Sequence, residues 1–405
     1  MTKPESIDVP PPWHLVGQHA VFPKARHDEI ARFNFLANMN KHLAQTLGPG
    51  NKLAYETRVL PALRKELGRD PENRHEIRRA MNKDPYHRFW SALKRNTMEQ
   101  RQQAGRSMVL RQIDDLVAAA KDLNAGSDRL NLDPTTDLPN YVKNVDHHCM
   151  PGSYHTELMP DDVSAGANYD CGLFVTTGGA LGTYSDGGGK AVAEWATSNP
   201  DFRPKRILDV GCTLGHNMLP IAEAYPDAEV TGIDVGAPVL RYGHARAKAL
   251  GVDNVRFVQM NAEDLSRFED ESFDWVQTTM YLHETSNAGM ARMMKEFYRV
   301  LAPGGLLLHV EQPQYTDDMP LYEQFIRDWD AFNNNEPFWS KVHELDLQEC
   351  MADAGFSHNE MFVTGVRAVV DSDVFPAAKT GDLEDHGRAA AWHAFGAWKG
   401  MNDAA

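Results

Sequence analysis

Cysteine is scarce in this chain. Four residues in 405, Cys149, Cys171, Cys212 and Cys350, are widely spaced and form no C-x-x-C pair. That excludes a disulfide-stapled scaffold and fits a reducing compartment. No run approaches eighteen consecutive apolar residues, so no membrane-spanning helix is expected. The opening stretch MTKPESIDVPPPWHL lacks the apolar segment of a secretory signal, and a cytoplasmic location is the expectation. Positive charge is in deficit. Lys and Arg number 41 against 57 Asp and Glu, a formal net charge of −16. Wrapping a phosphate backbone needs the opposite sign, so nucleic acid is disfavoured as a partner. Internal repeats and low-complexity tracts are also lacking.

What is present divides into unlike parts. Residues 1–27 are Pro-rich and dotted with aromatics, and read as an extended arm. Helical spacing dominates from there to Leu123. Ile30, Phe33, Leu36, Ala37 and Met39 form one stripe, and Leu53, Val59, Leu60 and Leu63 another beyond a Gly48-Pro49-Gly50 break. Asp70-Pro71 and Asp84-Pro85 open further helices, proline being tolerated in the first turn. Residues 100–123 suggest one more. Phe33, Phe35, Phe89 and Trp90 are expected in its core, and Arg78, Arg79, Arg88, Lys94 and Arg95 on a solvated face. Asn124 to Pro139 is turn-rich and reads as a linker. Residues 141–199 hold a His/Cys cluster followed by many glycines, and suggest loops with a short helix. The expected division is therefore a helical domain with its arm (1–140), a connector or lid (141–200) and an α/β domain (201–405).

The α/β part is organised around Ile207 to Asp234, ILDVGCTLGHNMLPIAEAYPDAEVTGID. An apolar strand (Ile207, Leu208, Val210) runs into a glycine-bearing turn. A helix bearing Met218, Leu219, Ile221 and Ala222 follows, then a second strand that ends on Asp234. Ligands of open α/β sheets sit beyond the carboxyl ends of the strands, and a carboxylate there can accept from both hydroxyls of a ribose. Further strands are expected at Val255–Gln259, Phe273–Thr278 and Gly305–Val310, separated by helices as parallel pairing requires. Met361–Val366 and Trp392–Lys399 look like a closing pair.

Four segments in order, ILDVGCTLG…GID, VRFVQMNAEDL, FDWVQTTMYLHE and RVLAPGGLLLHVEQP, resemble the class I S-adenosylmethionine-dependent methyltransferases, in their small-molecule branch. The resemblance spans about residues 203–399. It implies a Rossmann-like, mainly parallel, seven-stranded sheet behind the helical domain, with S-adenosyl-L-methionine as cofactor and a small organic methyl acceptor. It places the amino-acid tail of the cofactor at Asp209, Gly211, Thr213 and Gly215, and the ribose at Asp234 and Val235. Adenine falls at Asn261, Ala262 and Glu263, and the sulfonium near Thr279 and Met280. Tyr169 is the implied lid contact over the carboxylate. Two positions depart from the family pattern: Thr213 replaces the middle glycine, and Asn261 the third-strand aspartate. Asparagine can still accept through its carbonyl oxygen.

A nicotinamide dinucleotide needs G-x-G-x-x-G, and Thr213 and His216 occupy two of its three glycine places, which counts against that rival. His283, after the fourth strand, is the expected catalytic base, since imidazole titrates near neutrality. Glu284 reads as a carboxylate at a helix N-terminus. The cluster Asp146-His147-His148-Cys149-Met150-Pro151-Gly152-Ser153-Tyr154-His155 reads as a substrate pocket, a metal site or a plain loop. The pocket reading is adopted, with His147, His148, Tyr154, His155, Tyr281 and Trp329 as substrate contacts and no metal. The helical half is expected to close the acceptor site or to join two copies in a homodimer. The alternative is a non-catalytic partner protein on the same fold, or a methyltransferase acting on protein or RNA.

Overall fold

Extended apolar segments buried on both faces satisfy their backbone groups by pairing with neighbouring strands. In this computed structural model, which describes residues 10–371, 374 and 391–400, that pairing gives one eight-stranded sheet. The strands are β1 (Leu130–Asn131), β2 (Arg206–Val210), β3 (Glu229–Asp234), β4 (Val255–Gln259), β5 (Phe273–Thr279), β6 (Leu301–Val310), β7 (Met361–Arg367) and β8 (Ala391–Trp398). Their order is β1-β4-β3-β2-β5-β6-β8-β7. β1 to β6 pair in parallel; β8 is antiparallel to both β6 and β7. The seven expected strands are joined by the two-residue β1, drawn from the stretch that reads as a linker. The first nine residues of the expected arm lie outside the described residues.

The chain leaves central β2 for β3 and β4 on one side, then crosses to β5 and β6 on the other. A ligand crevice opens at that switch, beyond the ends of β2, β3 and β5. Both faces are covered. Val192, Met218, Ile221 and Leu240 pack on one side with Phe257 and Trp275. Met290, Met293 and Phe297 of helix Asn287–Val300 pack on the other with Leu208 and Val276.

Residues 141–199 differ from the loop reading. Two helices stand there, Ser164–Thr177 and Gly187–Thr197. Their glycines permit close packing rather than turns. A Cβ on Gly166 would come within 2.5 Å of Tyr242 Cβ. The front half also departs in detail. The Gly48-Pro49-Gly50 stretch does not break the chain but opens helix Gly48–Ala54, with proline in its first turn. One helix, Pro85–Leu110, replaces two expected pieces, capped by Asp84, which accepts from the N–H groups of Tyr86 and His87. Phe33 and Trp90 are buried, but Phe35 and Phe89 are exposed. Residues two apart on a helix lie on opposite faces, so Phe33 and Phe35 cannot both point inward. Arg79 and Arg88 are exposed, whereas Arg78 pairs with fully buried Asp328 and Lys94 lies 3.7 Å from the centre of the Trp329 ring. The basic cluster is thus partly a docking seam. No helix among the described residues is long and apolar enough to cross a membrane.

The arm is not loose. Trp13 stacks on Phe33 with ring centres 4.3 Å apart, and His19 reaches Asp170 of helix Ser164–Thr177. Asp170 is 4% exposed. Its carboxylate accepts from Tyr242 at 2.8 Å and lies 2.9 Å from His19 Nε2 and 2.8 Å from His216 Nε2, with Arg246 Nε at 3.7 Å. Burial alone would raise its pKa, yet Arg246, His19 and His216 hold it well below the usual carboxylate range. A depressed folded-state pKa stabilises the fold above the unfolded carboxyl's value near ~3.9, and that contribution is lost as pH falls through the folded value. Asp170→Asn is therefore expected to cost about 3–5 kcal/mol at pH 7, read as a lower denaturant midpoint, with the gap to the native protein narrowing below pH 4. An unchanged midpoint at pH 7 refutes this.

Candidate active site

Asp234 ends β3 at the mouth of the crevice. Its Oδ2 accepts from Thr213 N at 3.1 Å and its Oδ1 from Gly236 N at 2.9 Å. The carboxylate so ties the first turn to helix Ala237–Leu250, and each oxygen keeps a lone pair for another donor. Burial pushes its pKa up to about 6, against the pull of the Gly236, Thr213 and Val235 N–H groups. On neighbouring β2, Asp209 accepts from Gln277 Nε2 at 2.6 Å. Burial pushes it up to about 7, opposed by Gln277 and reinforced by the charge of Asp234. Two adjacent buried carboxylates that hold their protons more tightly than usual mark a site short of positive charge, which a bound cation would relieve.

Gly211, Thr213 and Gly215 all have positive φ, +72°, +45° and +84°. Glycine adopts this region freely; threonine is strained there. The space a Cβ would take at Gly211 is filled by the ring of Tyr281, 2.2 Å from that position. Asn261 Oδ1 accepts from Glu263 N at 3.0 Å, closing a small turn beside buried Ala262. The Glu263 carboxylate is engaged by Tyr141 Oη and Arg292 Nε, both at 2.7 Å. Val235 O accepts from Gln259 Nε2 at 3.0 Å. Thr279 Oγ1 is buried without a partner, and Met280 has φ +51°. The Tyr169 ring centre lies 5.8 Å from that of His216 and 5.4 Å from that of Tyr154, closing the crevice from the side of helix Ser164–Thr177.

Beyond the crevice three imidazoles converge on Glu284. His147 Nε2 lies 3.3 Å, His148 Nε2 3.4 Å and His283 Nε2 3.9 Å from its oxygens. Glu336 joins them, 3.3 Å from His148 Nε2 and 3.9 Å from His283 Nε2. Glu284 therefore belongs to a turn, Leu282–Glu284, that faces the cluster, and not to a helix N-terminus. His283 Nδ1 donates to Glu311 at 2.7 Å. Burial opposes its charge, but Glu311, with Glu284 and Glu336, raises its pKa to about 9. Burial instead lowers His148 to about 4 despite Glu284. His148 Nδ1 lies 2.5 Å from Tyr154 Oη. Glu336 Oε2, His147 Nε2 and Gln312 Oε1 are buried without a hydrogen bond. No group of His, Cys, Asp and Glu among the described residues is arranged to hold a metal ion.

The structure thus gathers His147, His148, Tyr154 and His283 in one chamber, with Tyr281 between it and the first turn. His155 is set beside His147, its Nδ1 buried without a partner. Trp329 is a correction: its Nε1 donates to Ser91 Oγ at 2.7 Å and its ring packs against Trp90. It docks the helical half instead of lining the chamber. Trp339 reaches the site, its ring edge-on to His283 at 4.6 Å. Glu311 and Glu336 were not picked out from the sequence. Glu311 stands at the end of β6, a place that could have been searched. Glu336 sits in an Asn-rich run with no local signal.

A family model described as a methyltransferase domain matches residues 207–305. A demethylmenaquinone methyltransferase of Thermus thermophilus is 40% identical over 110 residues, 27% of this chain and 48% of that protein. Another, from Listeria welshimeri, is 30% identical over 172 residues, 38% of this chain and 70% of that protein. The chain belongs to the class I S-adenosylmethionine-dependent methyltransferases. It spans about half the length of several of the curated relatives it matches. Phosphoethanolamine N-methyltransferase 2 of Haemonchus contortus, solved with S-adenosyl-L-methionine, is 17% identical over 57% of both chains, with a TM-score of 0.40.

S-adenosylmethionine is the cofactor of this family, and the residues at the switch point fit it. Asp234 offers two acceptors for a diol, and the Asp209–Asp234 pair suits a ligand carrying an ammonium and a sulfonium. Binding such a ligand should favour the ionised carboxylates. The affinity for S-adenosylhomocysteine, which keeps the diol and ammonium, is therefore expected to rise from pH 5 to pH 7.5, with protons released on binding. Calorimetry in two buffers of different ionisation heat measures this, and a flat profile refutes it. Thr213→Gly should relieve the positive-φ strain and leave the denaturant midpoint equal or higher, by up to about 1 kcal/mol.

Proposed function

We propose that this chain is an enzyme that moves the methyl group of S-adenosylmethionine to an oxygen, nitrogen or activated carbon of a small organic molecule held in the His/Glu chamber. The observation that carries the reading is the under-satisfied polar cluster beside the Asp209–Asp234 crevice, where Glu336 Oε2, His147 Nε2 and Gln312 Oε1 are buried without a hydrogen bond. Relatives named for demethylmenaquinone support a small-molecule acceptor.

The cofactor, when bound, supplies an electrophilic methyl on a sulfonium. The chain's residues do the rest. Asp234 holds the ribose and Asp209 the ammonium. Tyr154 and Tyr169 cover the crevice and keep water from competing with the acceptor. The helical half closes the far side through helix Pro85–Leu110, whose Gln102 Nε2 donates to His148 O at 2.9 Å.

The base role expected of His283 passes to Glu284. With a pKa of about 9, His283 is an imidazolium at neutral pH and has no lone pair to offer. Burial opposes ionisation of Glu284, but the imidazoles around it, charged His283 among them, hold its carboxyl below the usual value. Glu284 takes the proton from an acceptor hydroxyl or amine, and neutral His148 passes it on. His283 is a positioning residue, held by Glu311.

Glu284→Gln should lower turnover by roughly 10²–10⁴-fold and leave S-adenosylhomocysteine affinity within about threefold. Asp234→Ala should do the opposite, weakening that affinity by roughly 10²-fold through two lost charge-assisted hydrogen bonds. Transfer of labelled methyl groups to a small-molecule extract, with parallel calorimetry, reads both. Failure of the purified chain to bind S-adenosylhomocysteine would falsify the reading.

A further inference from the structure

Arg101 lies on helix Pro85–Leu110 and is 3% exposed. Its face of the helix is the one turned to the chamber. Gln102, beside it, donates to the carbonyl of His148 and accepts from Asn168 Nδ2 at 2.9 Å. One turn on, Gly105 packs against Asn168. The guanidinium rests on the backbone of helix Ser164–Thr177 at Gly172, where a Cβ would stand 2.8 Å from Nε and 3.1 Å from Nη2. Glycine at 172 leaves the room the guanidinium occupies.

Two other buried arginines, Arg74 and Arg246, are paired. Arg74 meets Asp328 and Glu344, and Arg246 meets Asp170 and Tyr184 O. Arg101 differs. No carboxylate among the described residues forms an ion pair with it, and its buried Nε, like that of Arg246, has no hydrogen-bond acceptor. The groups acting on it most strongly are Tyr154, Tyr169, Cys171 and Cys149. Burial raises the pKa of all four, so none supplies negative charge near pH 7. Glu284 and Glu336 are engaged by imidazoles. Guanidinium cannot escape by losing its proton, and an uncompensated buried charge is among the most unfavourable features a fold can carry. Its fork of donors matches a carboxylate.

We propose that Arg101 is a carboxylate seat in the wall of the chamber, reached from the helical half of the chain. The carboxylate belongs either to the methyl acceptor, which is then an organic acid, or to the amino-acid tail of the cofactor. The identity of these two ligands rests on the methyltransferase reading; the seat itself does not.

The test uses the full chain as native protein, Arg101→Met and Arg101→Lys. The probes are S-adenosylhomocysteine, methylthioadenosine, which lacks the amino-acid tail, and benzoate as a plain carboxylate. If the seat takes the cofactor tail, Arg101→Met weakens S-adenosylhomocysteine at least tenfold while methylthioadenosine is unchanged. If it takes the acceptor, both nucleosides bind as before, but the rise in Tm caused by millimolar benzoate disappears in Arg101→Met. Arg101→Lys retains part of either effect. In both cases the ligand-free Arg101→Met protein melts no lower than the native one, because it has shed an unpaired charge.

Two results overturn the proposal: no probe distinguishes Arg101→Met from the native protein, or ligand-free Arg101→Met melts several degrees lower and both nucleosides weaken equally, as for a merely structural arginine. Should the native protein bind neither nucleoside, the methyltransferase reading fails on its own. Benzoate then still decides the seat, by stabilising the native chain and not Arg101→Met, or by doing neither.

Discussion

A carboxylate buried this deeply must be surrounded by donors, and Asp170 has gathered them from three parts of the chain. His19 comes from the arm, His216 from the first turn of the sheet, and Tyr242 and Arg246 from the helix that follows β3. Removing any one partner leaves charge uncompensated in a low-dielectric interior. The constraint is therefore collective. It locks helix Ser164–Thr177 across the crevice, and with it Tyr169 and the wall on which Arg101 rests. The lid over the site is a packed layer of the fold.

The chemistry follows from how charge is distributed behind that layer. On the sheet side, Asp209 and Asp234 sit so deep that both carboxylates hold their protons more tightly than usual. Across Tyr281 the balance reverses. His283, clamped by Glu311, carries a proton, and the same field keeps Glu284 ionised. The crevice thus lacks positive charge while the adjoining chamber offers a carboxylate ringed by imidazoles. Such a division suits a reaction between a cationic donor and a nucleophile that must lose a proton.

Trp329 and Glu284 show where reading the chain residue by residue ran out. Both side chains take their neighbours from distant parts of the chain. An aromatic after the fifth expected strand can line a pocket or dock a domain, and only the position of Ser91, far back in the chain, decides between them. Glu284 looks like a helix-start carboxylate until His147 and His148 are brought to it from the connector. The glycines of 141–199 suggested turns because glycine is usually read through its backbone freedom. At 166 and 172 it serves instead to let a ring and a guanidinium approach a helix.

The sequence by itself determined the sheet, its switch point and Asp234 at the end of β3. Those features rest on local periodicity and on one contiguous strand–turn–helix–strand unit, whose geometry needs no distant partner. The chamber, its charge pattern and the burial of Arg101 were decided only by tertiary structure. His148, Glu336 and Arg101 are remote from His283 along the chain, and a pKa or an unpaired charge is a property of neighbours and of excluded water. Neither is written in the order of residues.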